Sequence, residues 1–245
     1  MKKINWKSCK SVTTRGGVKN ILRRNKIVRY LLNIRKKIRD KRADRLRAPF
    51  IPDVIKVIGK DTTIISSNCF AGRIMQDGEM VYNSPTLGLY FWAEDYIEFL
   101  TQLKYYLTEA KIEFVEHSKH ALGDTRRQNW EHWYPIGVLD GKVEIHFLHY
   151  HTEEEAAEKW YRRAARINWD NLLIIAMEQN LCTEKCIMDF DRLPFKRKIF
   201  FSSKCIPECK SNVYLSEFAD KGEVGDPYLK ADIFYKKLIE KFEEK

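Results

Sequence analysis

The chain has 245 residues, 44% of them apolar, enough for one sizeable core or for a domain with an appendage. No run approaches 18 uninterrupted apolar residues, and the amino terminus is charged where a secretory leader needs its apolar centre. These features exclude a membrane span and lead to the expectation of a cytoplasmic protein.

The formal net charge of +10 is unevenly held. Residues 1–47 carry 18 Lys and Arg against two acids, Asp40 and Asp44, a balance of +16, whereas the remainder has 26 basic and 32 acidic residues, a balance of −6. Within the basic segment Ile27, Leu31, Ile34 and Ile38 recur at helical spacing, with Val28 and Leu32 beside them and Lys and Arg over the rest. The pattern predicts a basic amphipathic helix in an extension spanning 1–49. Such a helix serves as an anionic-lipid anchor, a nucleic-acid arm or a solvated helix packed on its own domain. The lipid surface is favoured, because each basic residue near an anionic leaflet contributes about 1 kcal/mol and the apolar stripe adds burial. Nucleic acid is disfavoured, since the rest of the chain is acidic.

Pro49 and Pro52 mark a boundary, and an α/β domain is expected over 50–245. Thr62 to Ser66 reads as a strand running into a loop of small residues, Ser67 to Gly72. Loops at the carboxyl ends of strands are where α/β sheets bind ligands, which makes Asn68, Cys69 and Gly72 candidates for phosphate contact; Asn68 and Cys69 equally suit a tight turn. Asp77-Gly78 and Asn83-Ser84-Pro85-Thr86 follow as turns. A long helix is predicted from about Tyr90 to Ala110, its buried stripe formed by Trp92, Tyr96, Phe99, Leu100, Leu103, Tyr106 and Leu107. Lys111 to Glu116 reads as a strand, and the polar stretch 117–133, with His120, Arg126, Arg127 and His132, as a loop. Asp140-Gly141 then carries the strongest hairpin signal in the chain.

Thr152 and Glu155 have capping-box spacing, so a helix begins at Thr152 with Glu153 and Glu154 in its first turn. Glu153, Ala156, Ala157, Trp160, Ala164 and Ile167 share one face, which is expected to turn inward. Arg163 lies on its flank, while Arg162 and Arg166 lie on the far side. Arg163 is therefore the arginine placed to enter a partly buried pocket, pairing there with a carboxylate or binding an anion. Leu172 to Ala176, Lys198 to Phe201 and Val213 to Leu215 read as strands, and Asp226-Pro227 as the opening of a final helix. Strands alternating with helices, plus one hairpin, predict a three-layer α/β/α domain with a mixed, mostly parallel sheet.

Catalytic candidates are present without a decisive constellation. Asp189-x-Asp191 has the spacing with which some sugar-nucleotide enzymes hold a divalent cation, although carboxylates at a helix end share it. The pairs Cys182/Cys186 and Cys205/Cys209 fall short of zinc-ribbon spacing. His146, His149 and His151 precede the arginine helix, and a histidine there serves as a base near neutral pH or as a structural residue.

Taken together, Asn68-Cys69 with the glycine that follows, Tyr82-x-Ser84-Pro85-Thr86-x-Gly88-Leu89, Tyr134-Pro135-x-Gly137, Phe147-Leu148-His149-Tyr150 and Glu153-Glu154-x-Ala156-x-x-x-Trp160-x-Arg162-Arg163-x-x-Arg166-Ile167-Asn168 resemble the bacterial domain-of-unknown-function family 1919. The resemblance covers about residues 50–225, and members are commonly labelled exopolysaccharide or capsule biosynthesis proteins. It implies an α/β fold and a setting of cell-surface polysaccharide assembly. The resulting expectation is a glycosyltransferase, peripheral at the inner face of the cell membrane, moving sugar from a nucleotide-sugar donor to a lipid-linked saccharide acceptor. Asn68, Cys69, Gly72, Ser84, Arg163, Arg166 and Asn168 would bind substrate phosphate, His149 or Glu153 would act as base, and Asp189 and Asp191 would hold a divalent cation. The rivals are a transferase of acyl or phosphate-linked groups and a non-catalytic membrane-surface assembly protein.

Overall fold

A computed structural model describes residues 26–219 and 221–243; the expected basic segment before Lys26 lies outside the described residues. The chain divides into two compact units. The first contains helix α1 (Lys26–Arg47), a 3-10 turn (Ala48–Phe50), nearly all of α2 (Ile51–Ile58) and, from the other end of the chain, α9 (Ala231–Glu243). Helix α9 packs on α1 and on the 3-10 turn, so chain order and spatial grouping diverge here. Asp226-Pro227 does not open α9. The Asp226 carboxylate accepts from Tyr228 N–H and its carbonyl from Leu229 and Lys230 N–H, which closes a turn before the helix starts at Ala231. Helix α1 leaves Leu31, Ile34 and Ile38 exposed, with Ile38 at 63%.

The second unit, Ile58–Val224 among the described residues, holds all eight strands. Its class is the α/β class expected, with the strands divided between two four-stranded sheets. The parallel sheet has the order β1 (Thr63–Ser66), β6 (Leu172–Met177), β7 (Lys198–Ser202), β8 (Asn212–Tyr214). The antiparallel sheet has the order β2 (Tyr90–Phe91), β5 (Val143–His146), β4 (Ile136–Leu139), β3 (Ile112–Val115). Phe91 N–H donates to Ser67 O at 3.0 Å, so the sheets meet where β1 ends and β2 begins. Local chemistry accounts for the division. β6, LLIIAM, is buried along nearly its whole length, as a central parallel strand must be, whereas β4 and β5 are joined by Asp140 and Gly141 at φ +46° and +67°. Both residues are left-handed, as the two central positions of a type I′ turn require, and Lys142 N–H closes that turn on Leu139 O at 3.0 Å.

The stripe expected of one long helix is buried throughout, but its backbone differs. Tyr90 and Phe91 pair with His146 and Ile145 as β2. Trp92 stays extended, and the helix is broken at Gln102 (φ −129°) into α4 (Ala93–Thr101) and α5 (Leu103–Thr108). Strand pairing with β5 thus overrides helical periodicity at the first two positions. One core joins both sheets: Ile65, Ile174 and Phe200 from the parallel side meet Phe91, Leu139 and Ile145, with Phe99, Tyr106 and Trp160 between. The Tyr96 hydroxyl lies 3.0 Å from the carbonyls of both Ile65 and Ile175 and ties the core to β1 and β6. The remaining helices are α3 (Phe70–Asp77), α6 (Gly123–Gln128), α7 (Glu153–Ala164) and α8 (Glu184–Arg192). No helix among the described residues is long and apolar enough to cross a membrane.

Candidate functional site

The expected site residues fall into separate places. Asn68 is buried at the end of β1, where its Oδ1 accepts from Phe70 N–H and its Nδ2 donates to Gln179 Oε1 at 2.9 Å, so its amide shapes a turn. Cys69 caps α3 and donates its thiol to Leu89 O, and Gly72 N–H bonds Cys69 O. Ser84 contacts the Thr86 hydroxyl at 3.1 Å, and that hydroxyl accepts from Ser66 N–H, which fastens the 83–86 loop to β1.

Helix α7 begins at Thr152, whose side chain accepts from Glu155 N–H, and buries Ala156, Trp160 and Arg163. The Arg163 guanidinium donates to the Tyr150 hydroxyl at 2.5 Å and to Leu87 O at 3.3 Å, and Tyr150 donates to Leu87 O. Its partners are therefore neutral oxygens, and the arginine acts as a clamp on residues 87–89. His149 N–H bonds Gly88 O on the same segment. Glu153 is exposed at the helix start and Arg166 is exposed beyond its end. Asn168 lies apart from Asn68: its N–H donates to Thr63 Oγ1 and its side chain to Asp61 O, at the amino end of β1. Asp189 and Asp191 share α8, where an i,i+2 spacing turns the side chains about 200° apart. Asp189 pairs with Lys185 and Arg192, and Asp191 accepts from Ser211 N–H and hydroxyl at 2.6 Å. The two carboxylates do not converge, and no cluster of metal-ligating side chains exists among the described residues.

The densest ionisable cluster in this unit is one the sequence pattern did not mark. It is assembled from α4, the 117–128 segment and β5. Glu144 and His146, two apart on β5, point to the same side of the strand while Val143 and Ile145 enter the core. Both ionisable side chains are fully buried, with Glu144 Oε1 2.7 Å from His146 Nε2. The carboxylate also accepts from the Ser118 hydroxyl at 2.5 Å and Lys119 N–H at 2.7 Å. Burial raises the Glu144 pKa, but the bonds from His146, Ser118 and Lys119 outweigh it and hold the group at about 2. His146 is pushed down, chiefly by burial, and so is neutral. Its Nε2 is also 2.9 Å from the Trp92 indole nitrogen, but a ring nitrogen serves one in-plane partner, and with Nε2–H directed to Glu144 the indole contact is not a second hydrogen bond.

Asp95, in the first turn of α4, is buried beside this pair and accepts from Glu144 N–H at 2.9 Å. Its carboxylate binds Lys119 Nζ at 2.6 Å and His120 Nε2 at 2.5 Å. His120 is 20% exposed, so the network reaches the surface there. With Nε2–H donated to Asp95, His120 Nδ1 keeps its lone pair and has no hydrogen-bond partner among the described residues. This is a carboxylate-oriented imidazole, the arrangement of a general base.

Arg126 flanks it. Its guanidinium lies 4.5 Å from the Trp92 ring centre and 5.0 Å from that of Tyr90, contacts worth about 0.5–2 kcal/mol. One nitrogen donates to Asn180 Oδ1 at 2.6 Å. Asn180 follows the carboxyl end of β6 at φ +57° and is held there by donation to Phe91 O and acceptance from Ala93 N–H. The Arg126 guanidinium and the His120 imidazole thus both lie against the Trp92 ring, while the Lys119 ammonium is held beside them on Asp95 and on the Lys142 carbonyl. Gly123 makes this possible, because a Cβ there would lie 2.0 Å from Ser118 Oγ.

Comparison with known proteins agrees with the resemblance in the sequence. A Haemophilus influenzae protein named "Uncharacterized protein" is 38% identical over 171 residues, 70% of this chain and 76% of that one. The family model "Domain of unknown function (DUF1919)" matches residues 45–244, which takes in the whole α/β unit. The chain therefore belongs to the DUF1919 family.

Proposed function

We propose that the protein is a transferase acting on a phosphate-bearing donor, in the polysaccharide setting a glycosyltransferase that uses a nucleotide sugar. The observation that supports this reading is the Asp95–His120 pair beside Arg126, an oriented base within one cluster of two cationic side chains. His120 Nδ1 takes the proton of an acceptor hydroxyl as its oxygen attacks the anomeric carbon. The bond from that carbon to the donor diphosphate breaks, and the leaving diphosphate carries away the electron pair. Arg126 and Lys119 offset that charge, which is where most of the rate acceleration arises. His120 takes the place of His149 and Glu153 as base in this scheme, because the buried Asp95 carboxylate holds its imidazole.

Helix α1 supplies the meeting with a lipid-linked acceptor. It exposes Leu31, Ile34 and Ile38 beside Arg35, Lys36, Lys37 and Arg39, a surface suited to an anionic bilayer. The test is release of nucleoside diphosphate from a panel of sugar nucleotides, with a lipid-linked saccharide as acceptor in anionic vesicles. Turnover of one donor, lost in Arg126→Ala, is expected. Inertness toward every donor with binding to the vesicles retained would favour the non-catalytic assembly role, and turnover of an acyl donor instead would favour the other decoration.

A further inference from the structure

We propose that Asn180 is the positioning residue of this site: it fixes the Arg126 guanidinium against the Trp92 ring while leaving the positive charge unopposed. The inference rests on the reading of Arg126 as the group that offsets donor diphosphate charge.

Asn180 follows the carboxyl end of β6, 54 positions from Arg126 and 89 from Phe91. Its backbone is left-handed at φ +57°, a conformation that asparagine adopts more readily than most non-glycine residues. From there its carbonyl accepts from Ala93 N–H at 3.1 Å, and its Nδ2 donates to Phe91 O at 2.9 Å. These two bonds grip the chain on either side of Trp92, the residue whose ring lies 4.5 Å from the guanidinium carbon. Phe91 O can only accept, so Nδ2 must face it and Oδ1 must face Arg126, whose Nη1 donates to it at 2.6 Å. One side chain therefore sets the ring and the cation together.

A carboxylate at this position would hold the guanidinium as well, but it would cancel its charge. The neighbouring cations are offset in that way: Lys119 lies on Asp95, and Arg127 on Asp124. Arg126 has only neutral partners among the described residues, the Asn180 amide and the Tyr90 and Trp92 rings. Arg163 also has neutral partners, but it is buried in the interior, whereas Arg126 is half-buried and reaches solvent. Arg126 is thus a guanidinium that is both oriented and free to draw in a diphosphate.

The test is nitrogen-resolved NMR of the arginine side chains in the full chain, with Arg126 assigned by its loss in Arg126→Lys. Wild type should show separate, slowly exchanging Nη1 and Nη2 resonances for Arg126. Asn180→Gly, which suits the left-handed backbone, should average them. Asn180→Asp should keep them apart and bind inorganic pyrophosphate at least about tenfold more weakly than wild type. With the donor that the panel selects, kcat should fall about 10–10²-fold in Asn180→Gly. The proposal is overturned by averaged resonances in wild type, by resonances that stay apart in Asn180→Gly, or by a kcat undiminished in that variant. It is equally overturned by pyrophosphate binding that is absent from wild type or undiminished in Asn180→Asp. The wild-type spectrum decides the first point even where a variant fails to fold. Inertness toward every donor, with the spectra and pyrophosphate affinities as expected, would count against the transferase reading alone.

Discussion

Asp95 and His120 stand 25 positions apart in the chain, yet Oδ2 of one lies 2.5 Å from Nε2 of the other. The carboxylate is buried and the imidazole is partly exposed, so the pair conveys the orientation of the interior to a side chain that reaches the surface.

Arg126 is placed to bind charge rather than to transfer protons. Arg126→Ala should lower kcat about 10²-fold or more by leaving the departing diphosphate charge unopposed, and Arg126→Lys should restore only part of the loss, because an ammonium cannot reproduce the fork or its stacking on Trp92. Steady-state kinetics with the best donor checks this; an unchanged kcat contradicts it.

Acid should weaken the fold through β5. Glu144 is held at about 2 in the folded protein, below its ordinary 4.5, so its contribution is complete above pH 4.5 and is lost as the pH falls toward 2. His146 is also pushed down, so it favours the unfolded chain once the pH falls below 6.5, in the same direction. Urea denaturation at pH 7 and pH 4 should show lower stability at pH 4, with Glu144 contributing about 1 kcal/mol of the difference and His146 adding to it in the same direction. Glu144→Gln should be less stable at pH 7 and less sensitive to that change. A variant with the wild-type pH dependence would remove Glu144 from the account.

The Gly123 position tests the packing of the same network. Gly123→Ala must displace Ser118 from Glu144, at a cost of about 1–3 kcal/mol, and should reduce turnover with it. Thermal denaturation alongside the activity assay measures both; a variant as stable and as active as wild type would show that Ser118 moves freely.

Tyr150→Phe tests the Arg163 clamp. Removing the hydroxyl leaves Leu87 O as the remaining oxygen partner of that guanidinium, and a loss of about 1–3 kcal/mol is expected. Stability equal to wild type would mean that the buried cation is satisfied without Tyr150.

Helix α1 should carry the membrane affinity. Co-sedimentation with anionic vesicles is expected for the full chain, weakened by raised salt and by Leu31→Ser, Ile34→Ser and Ile38→Ser together. Binding unaffected by both treatments would assign the lipid surface elsewhere.

Much of the fold was legible because its signals are local. Thr152 caps its helix through Glu155 N–H, Asp140-Gly141 turns its hairpin, and Trp160 is buried between Phe99 and Phe147 as its helical face requires. Where a distant strand intervenes, local periodicity misleads: Tyr90 and Phe91 continue a helical stripe but pair with β5. The network at Asp95 was less visible for the same reason, since its members come from a helix start, an irregular segment and a strand, with no spacing that links them. One signal was present. In Val143-Glu144-Ile145-His146 the ionisable residues alternate with buried apolar ones, which places an acid and a histidine side by side on a strand. Asp189 and Asp191 show the converse, a familiar spacing that a helix turns outward to opposite sides.

The most direct test compares wild type with His120→Gln, using the sugar nucleotide that the panel selects. The account predicts that kcat falls by about 10²–10⁴, with KM for the donor nearly unchanged and the fold intact by circular dichroism. A His120→Gln enzyme that turns over at the wild-type rate would contradict it.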